Sequence, residues 1–266
     1  HDNEDDEDLD LLPTLHLTSL SEDYYPTIAL NSLFRVLRDP SRASHRQMVV
    51  RSIVYIFQVL GTGCVQYLPN MIPVLLNVMR TCDDTLREAM FGEFAVLVSV
   101  IKTHIRRYLT DIFDIVHAFW DSNYMSKNTL RLCEELSLAL NDEFRKYLPT
   151  IVPRIVSALH DAERSGRYSS VPHILHALEM FGVGIDEHLH LILPTVVRLF
   201  KPSVISVPLE IRRSALQSLR RILPSLSLAG QASVVIHPLT RVLDSEFADL
   251  RDDAMQLLVA LEVPLG

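Results

Sequence analysis

Glycine is scarce in this sequence, 8 in 266 residues, and aromatic residues make up only 7% of it, with a single tryptophan. Leu, Ile, Val and Ala dominate instead, which suits helices packed on helices better than a sandwich of aromatic-rich strands. Cysteine is nearly absent as well. Cys64, Cys82 and Cys133 are odd in number and far apart. They make neither a disulfide framework nor a CxxC metal pair, which points to a reducing compartment and to thiols in a core. Every hydrophobic run is broken by Arg, Asp, Lys or Pro before it reaches the roughly 20 residues of a membrane span. A signal peptide and an initial Met are also missing, so the expectation is a processed chain or an internal piece of a longer one. What is present is a 48% hydrophobic content, enough for a large buried core.

The net charge of −8 is concentrated at one end. Asp2, Glu4, Asp5, Asp6, Glu7, Asp8 and Asp10 supply seven acids in the first ten positions, leaving 26 acids against 25 bases in the rest. A balanced body without a basic run lacks the Lys/Arg footprint that nucleic-acid binding requires. Residues 1–21, an acidic run followed by a stretch with neither helical nor strand phase, read as a poorly structured linker or tail.

From residue 22 onward the chain repeats. An apolar residue followed by Arg opens a long amphipathic run at Val50-Arg51, Leu86-Arg87, Leu130-Arg131, Ile211-Arg212 and Leu250-Arg251, and Val171-Pro172 holds the missing phase, giving steps of 36, 44, 41, 40 and 39 residues. A second series, Tyr67-Leu68-Pro69, Tyr108-Leu109-Thr110 and Tyr147-Leu148-Pro149, marks partner helices at the same period and is extended by Pro73, Pro153, Pro194 and Pro238. The first prolines of these runs suit an opening helical turn, whereas Pro73 and Pro153 are expected to bend their helices. Polar turns at Arg38-Asp39-Pro40-Ser41, Thr81-Cys82-Asp83-Asp84 and Asp244-Ser245-Glu246 offer N-cap oxygens. Gly61 and Gly63, and later Gly182 and Gly184, fall where inner helices should end in left-handed caps.

Helix, short turn, helix at about 40 residues is the HEAT or armadillo period. The fold expected is all-α: a right-handed α-solenoid, or α–α superhelix, of about six HEAT-type hairpins near 22–63, 64–105, 106–145, 146–188, 189–229 and 230–266.

No residue cluster calls for chemistry. His173, His176 and Glu179 place three metal-ligand types on one helix face, but the spacing is loose and no fourth ligand accompanies them. Asp83-Asp84 and Asp252-Asp253 are adjacent pairs that point apart rather than toward one substrate atom. Phosphate loops, nucleophile elbows and HExxH pairs do not occur. The expectation is therefore no catalytic residue, no cofactor and no metal. Arg51, Arg87, Arg131, Arg212 and Arg251 read as a structural ladder, each bonding a turn Asp or a carbonyl of a neighbouring repeat. Trp120 packs in the core or anchors a protein partner.

The stretches EDYYPTIALNSLFRVLRDPS (22–41), GCVQYLPNMIPVLLNVMRTCD (63–83), LVSVIKTHIRRYLTDIFDIVHAFW (97–120), EFRKYLPTIVPRIVSALHD (143–161) and HLHLILPTVVRLF (188–200) resemble, in collinear order, the middle HEAT region of the TOR (target of rapamycin) serine/threonine kinases. The resemblance implies a non-catalytic scaffold and protein-binding segment of a very large kinase that controls cell growth in response to nutrients. Its catalytic domain would lie far C-terminal of this segment, which holds no HRD, no DFG and no Gly-rich phosphate loop. The partners implied are other HEAT segments of the parent chain, a second TOR subunit, a Raptor-like subunit and, in animals, a Rheb-like small GTPase. The location implied is cytoplasmic, with recruitment to the surface of the lysosome, the vacuole or other endomembranes. A stand-alone HEAT adaptor of the transport-receptor or phosphatase-scaffold type is the alternative with the same fold.

Overall fold

A computed structural model describes Leu12 and residues 21–120, 126–201, 207–228 and 230–265. Among these residues there are twelve α-helices and no strand. They are α1 (Tyr24–Arg38), α2 (Arg46–Leu60), α3 (Leu68–Thr81), α4 (Asp84–Ile101), α5 (Leu109–Phe119), α6 (Lys127–Leu140), α7 (Leu148–Ser165), α8 (Val171–Phe181), α9 (Leu189–Arg198), α10 (Leu209–Ile222), α11 (Ala232–Val242) and α12 (Ala248–Leu265). The chain forms two compact units, 1–119 and 120–266.

Both units are built in the same way. Odd-numbered helices make an outer layer and even-numbered ones an inner layer. In the first unit α2 packs on α4 and α3 on α5; in the second the inner row is α6, α8, α10, α12 and the outer row α7, α9, α11. Each helix buries one stripe, as Leu250, Ala254, Leu257 and Leu261 do on α12, so a single hairpin leaves apolar surface that only a neighbour can cover.

Outer helices pass to inner ones through capped turns. Asp39 accepts from the Ser41 N–H (2.9 Å), Asp83 from Leu86 (2.8 Å) and Ser126 from Asn128 and Thr129 (3.1 and 3.3 Å). Each satisfies donors that a helix start leaves without a partner. The helices α3, α7, α9 and α11 run through Pro73, Pro153, Pro194 and Pro238 without a break.

Four of the five inner helices that are followed by an outer one pass to it through seven-residue 3₁₀ turns, Gly61–Tyr67, Lys102–Tyr108, Asn141–Tyr147 and Gly182–His188, whereas α10 leads into a three-residue one, Leu223–Ser225. Each of the seven-residue turns opens on a residue at φ near +50°: Gly61 (55°), Lys102 (48°), Asn141 (49°) and Gly182 (52°). The fourth residue of each turn, Cys64, Ile105, Phe144 or Ile185, is buried and plugs the junction. Of the four glycines expected to form left-handed caps, Gly61 and Gly182 have positive φ but ψ of −130° and −135°, outside the left-handed helical region, and Gly63 and Gly184 do not have positive φ. A Cβ on Gly184 would instead lie 3.2 Å from Leu148 Cδ1. Lys102, at φ 48° and ψ −123°, occupies a sparsely populated backbone region that costs a non-glycine residue about 1–3 kcal/mol. Lys102→Gly therefore raises stability by about 1 kcal/mol in urea unfolding, and Gly61→Ala lowers it by a similar amount, with nothing within 4 Å of the added methyl.

One stretch, Ser41–Thr81, is long and apolar enough to cross a membrane by length and composition alone. In the fold it is divided by the Gly61–Tyr67 turn into α2 and α3, of 15 and 14 residues, each shorter than the roughly 20 residues of a span.

Candidate functional site

The five arginines of the expected ladder separate into two groups. Arg87, Arg212 and Arg251 each occupy the fourth position of their helix, where a side chain that leans toward the N-terminus reaches back over the preceding turn. Arg87 Nε donates to Met79 O at 2.8 Å, and its two terminal nitrogens donate to Cys82 O and to the Asp84 carboxylate. Its guanidinium also lies 3.7 Å from the centroid of the Phe119 ring. Arg212 Nε donates to Val207 O (3.0 Å) and Arg251 Nη1 to Ser245 O (2.7 Å). The carbonyls belong to each arginine's own hairpin. Arg51 and Arg131 stand one or two places later in their helices and are exposed.

A second set of contacts ties successive inner helices of the second unit together. His176 Nδ1 of α8 is 3.1 Å from Glu134 Oε1 of α6. One turn further along α8, Glu179 accepts from Arg221 of α10 (3.1 Å). Arg213 of α10 donates through Nε to the Asp253 carboxylate of α12 (2.8 Å) and through Nη1 to Asp249 (3.0 Å), and Gln217 adds a bond to Asp253 (3.2 Å). Asp253 is buried, and its hydrogen bond to Arg213 raises that guanidinium's pKa. His176 and Glu179 thus face opposite neighbours, while His173 is exposed. No group of three His, Cys, Asp or Glu side chains suited to a metal ion occurs among the described residues.

Trp120 follows the last residue of α5 and is half-buried, with the Arg154 guanidinium 5.9 Å from its ring centroid and its indole N–H enclosed without a hydrogen-bond partner. The three thiols lie in the core. Burial pushes Cys64 up to about 11, Cys133 up to about 12, and Cys82 upward as well. Because the thiolate is the reactive form, iodoacetamide near neutral pH should label these cysteines on the order of 100-fold more slowly in the folded chain than in urea, as read by mass spectrometry.

An open groove in the second unit lies where α6 and α8 end, lined by Leu138, Asn141, Arg145, Met180 and Val183. Its charged residues Asp142 and Arg145 pair with each other at 3.3 Å. The arrangement offers surface for contact and no converging acid, base or nucleophile.

In the first unit the inner layer carries a different surface. Met48, Tyr55 and Val59 of α2, at i, i+7 and i+11, are 65–70% exposed. Sequence periodicity had assigned these positions only to an amphipathic run; the signal available was three large apolar residues on the side of α2 opposite Val50, Ile53 and Phe57.

Comparison with known proteins agrees with this architecture. An engineered protein of known crystal structure superposes with a TM-score of 0.59 at 16% identity, covering 88% of this chain and 97% of its own. A designed armadillo repeat protein gives 0.57 at 14%, covering 86% and 98%. Both likenesses show the fold alone, an all-α helical-repeat solenoid class. In sequence, the Serine/threonine-protein kinase mTOR domain matches residues 1–102. The chain is 44% identical to the Serine/threonine-protein kinase TOR of Arabidopsis thaliana over 254 residues, 40% identical to mTor of Drosophila melanogaster over 247, and 33% identical to tor1 of Schizosaccharomyces pombe over 243. Each alignment takes in 91–92% of this chain and 10% of the relative. Matches of this length and identity, on the same helical-repeat fold, show that the chain is a segment of the TOR serine/threonine-protein kinase family, spanning about a tenth of the length of its curated relatives.

Proposed function

We propose that this chain is a non-catalytic scaffold and protein-binding segment of a TOR kinase, and that the kinase domain of the parent lies outside it. The observation that carries the reading is the stripe Met48, Tyr55, Val59 on α2. Large apolar side chains on one helix face are the composition of a contact surface rather than of a solvated one. The corresponding layer of the second unit carries ion pairs beside its own exposed apolar residues, Leu138 on α6 and Met255 and Val259 on α12. The partners proposed are proteins: other HEAT segments of the parent, a second TOR subunit, a Raptor-like subunit and, in animals, a Rheb-like small GTPase. The location proposed is cytoplasmic, with recruitment to the surface of the lysosome, the vacuole or other endomembranes. A stack of hairpins couples such contacts to distant parts of one chain by small changes at each junction.

The test uses the full-length parent. Met48→Asp combined with Tyr55→Asp leaves folding stability within about 0.5 kcal/mol, since both side chains are exposed. The pair should reduce co-purification of partner subunits at least tenfold, equivalent to about 1.4 kcal/mol or more. Unchanged assembly and unchanged kinase regulation, both in this variant and after internal deletion of residues 22–266, would overturn the scaffold reading.

A further inference from the structure

Among the four seven-residue turns that join inner to outer helices, one is unlike the rest in charge. Gly61–Tyr67 carries no ionised residue, Asn141–Tyr147 mixes Asp142 and Glu143 with Arg145 and Lys146, and Gly182–His188 is acidic, with Asp186 accepting from Ser227 N at 2.7 Å. Lys102–Tyr108 contains Lys102, His104, Arg106 and Arg107, all exposed, and no acid. The 3₁₀ geometry eclipses residues three apart. His104 therefore stands over Arg107 and Thr103 over Arg106, on either side of the buried Ile105.

We propose that Lys102–Tyr108 is a docking surface for an acidic polypeptide segment, and that its occupant is the acidic run of residues 1–10 of this chain. Charge complementarity is the first argument: seven acids in ten positions meet a turn whose ionised groups are all basic. Reach is the second. Leu12 is buried, and its backbone N–H and carbonyl are both bonded to the Asn31 side chain of α1, at 3.0 Å each. Asn31 lies eight residues, about 12 Å, along α1 from Asp23, whose carboxylate accepts from Gln66 of the Gly61–Tyr67 turn at 2.8 Å. That turn packs on α4, and α4 runs directly into Lys102. Leu12 is thus tied through α1 and this turn to the helix that feeds Lys102–Tyr108, and an extended chain carries Asp2 up to about 35 Å from Leu12 and Asp8 about 14 Å.

Zero-length carbodiimide coupling tests this directly. It joins a carboxylate and an amine in contact as an amide, the carbodiimide taking up the oxygen as a urea. The chain's four lysines, Lys102, Lys127, Lys146 and Lys201, serve as built-in comparisons. At an ionic strength of about 0.01 M, where charges act over ~30 Å, peptide mapping should find residues 2–10 joined to Lys102 about five times more often than to any other lysine. The preference should vanish at about 1 M salt, where the screening length is ~3 Å. Arg106→Gln with Arg107→Gln, which leaves Lys102 in place, should cut the yield about threefold with helical content unchanged by circular dichroism. Mixing isotope-labelled and unlabelled chains should show the link within one chain. Links spread evenly over the four lysines, a yield indifferent to salt or to the two Gln substitutions, or links between chains would each overturn the proposal.

Discussion

Arg87→Ala should destabilise the first unit by about 2–4 kcal/mol, an effect of a size normally reserved for core truncations. Arg87 is only 8% exposed. It is the donor for two main-chain carbonyls, Met79 O and Cys82 O, at the end of α3 and in the turn that follows, where the last carbonyls of a helix have no intrahelical donor. Without the arginine Cys82 O loses this donor and Met79 O keeps only the weak Cys82 S–H donor at 3.7 Å, at about 1–3 kcal/mol for an unmet group, and Phe119 loses the cation stacked on its ring. Arg87→Lys should restore little, because an ammonium cannot reach two carbonyls and a carboxylate in a plane. The comparison lies in the same series of residues. Arg51→Ala and Arg131→Ala remove exposed side chains and should change stability by less than about 0.5 kcal/mol. Amide hydrogen exchange in α3 and α4, with urea unfolding of the four variants, measures the difference.

Phe144→Ala should cost the second unit about 3–5 kcal/mol. The ring is 2% exposed in the Asn141–Tyr147 turn, with its centroid 5.2 Å from that of Phe181 at the end of α8. It therefore joins one hairpin to the next rather than filling a single helix pair. In a repeat stack, stability is a sum of intrinsic terms and nearest-neighbour terms, and this substitution removes one of the latter. Exchange protection should fall first in α6 and α8, on either side of the junction, while α11 and α12 keep theirs. Uniform loss across the unit would show instead that the stack melts as one body.

The repeat was legible because its strongest markers are also its structural fixed points. Tyr67, Tyr108 and Tyr147 end the inter-repeat turns, and Leu68, Leu109 and Leu148 open the outer helices as buried residues. The positive-φ residue that opens each turn was legible only where it is glycine. Lys102 and Asn141 adopt the same backbone shape as Gly61 and Gly182, but the lysine side chain carries no signal of it and the asparagine only the weak one of a residue tolerated at positive φ. The arginines illustrate a different limit. Spacing put all five in one series, whereas the reach of each depends on its position within its helix, and helix starts shift by one or two residues between repeats. His176 and Glu179, which the i, i+3 spacing places on one helix face, pair with opposite neighbours, Glu134 and Arg221, each 42 residues away: the repeat period specifies which helices adjoin, and not which side chains on them meet. The acidic run of residues 1–10 falls outside the described residues.

The ion pairs along the inner row also constrain how such a chain can change. On α8 a base, His176, faces the preceding helix and an acid, Glu179, faces the following one. On α10, Arg221 faces back and Arg213 faces forward, toward the acids of α12. Each helix therefore carries an address for the neighbour on either side, and the two addresses differ. Exchanging α8 with α10, or duplicating α10 in place, would set like charge against like charge at one junction or more. Though the hairpins share one architecture, they are not interchangeable parts, and their order along the chain is written in these few charges.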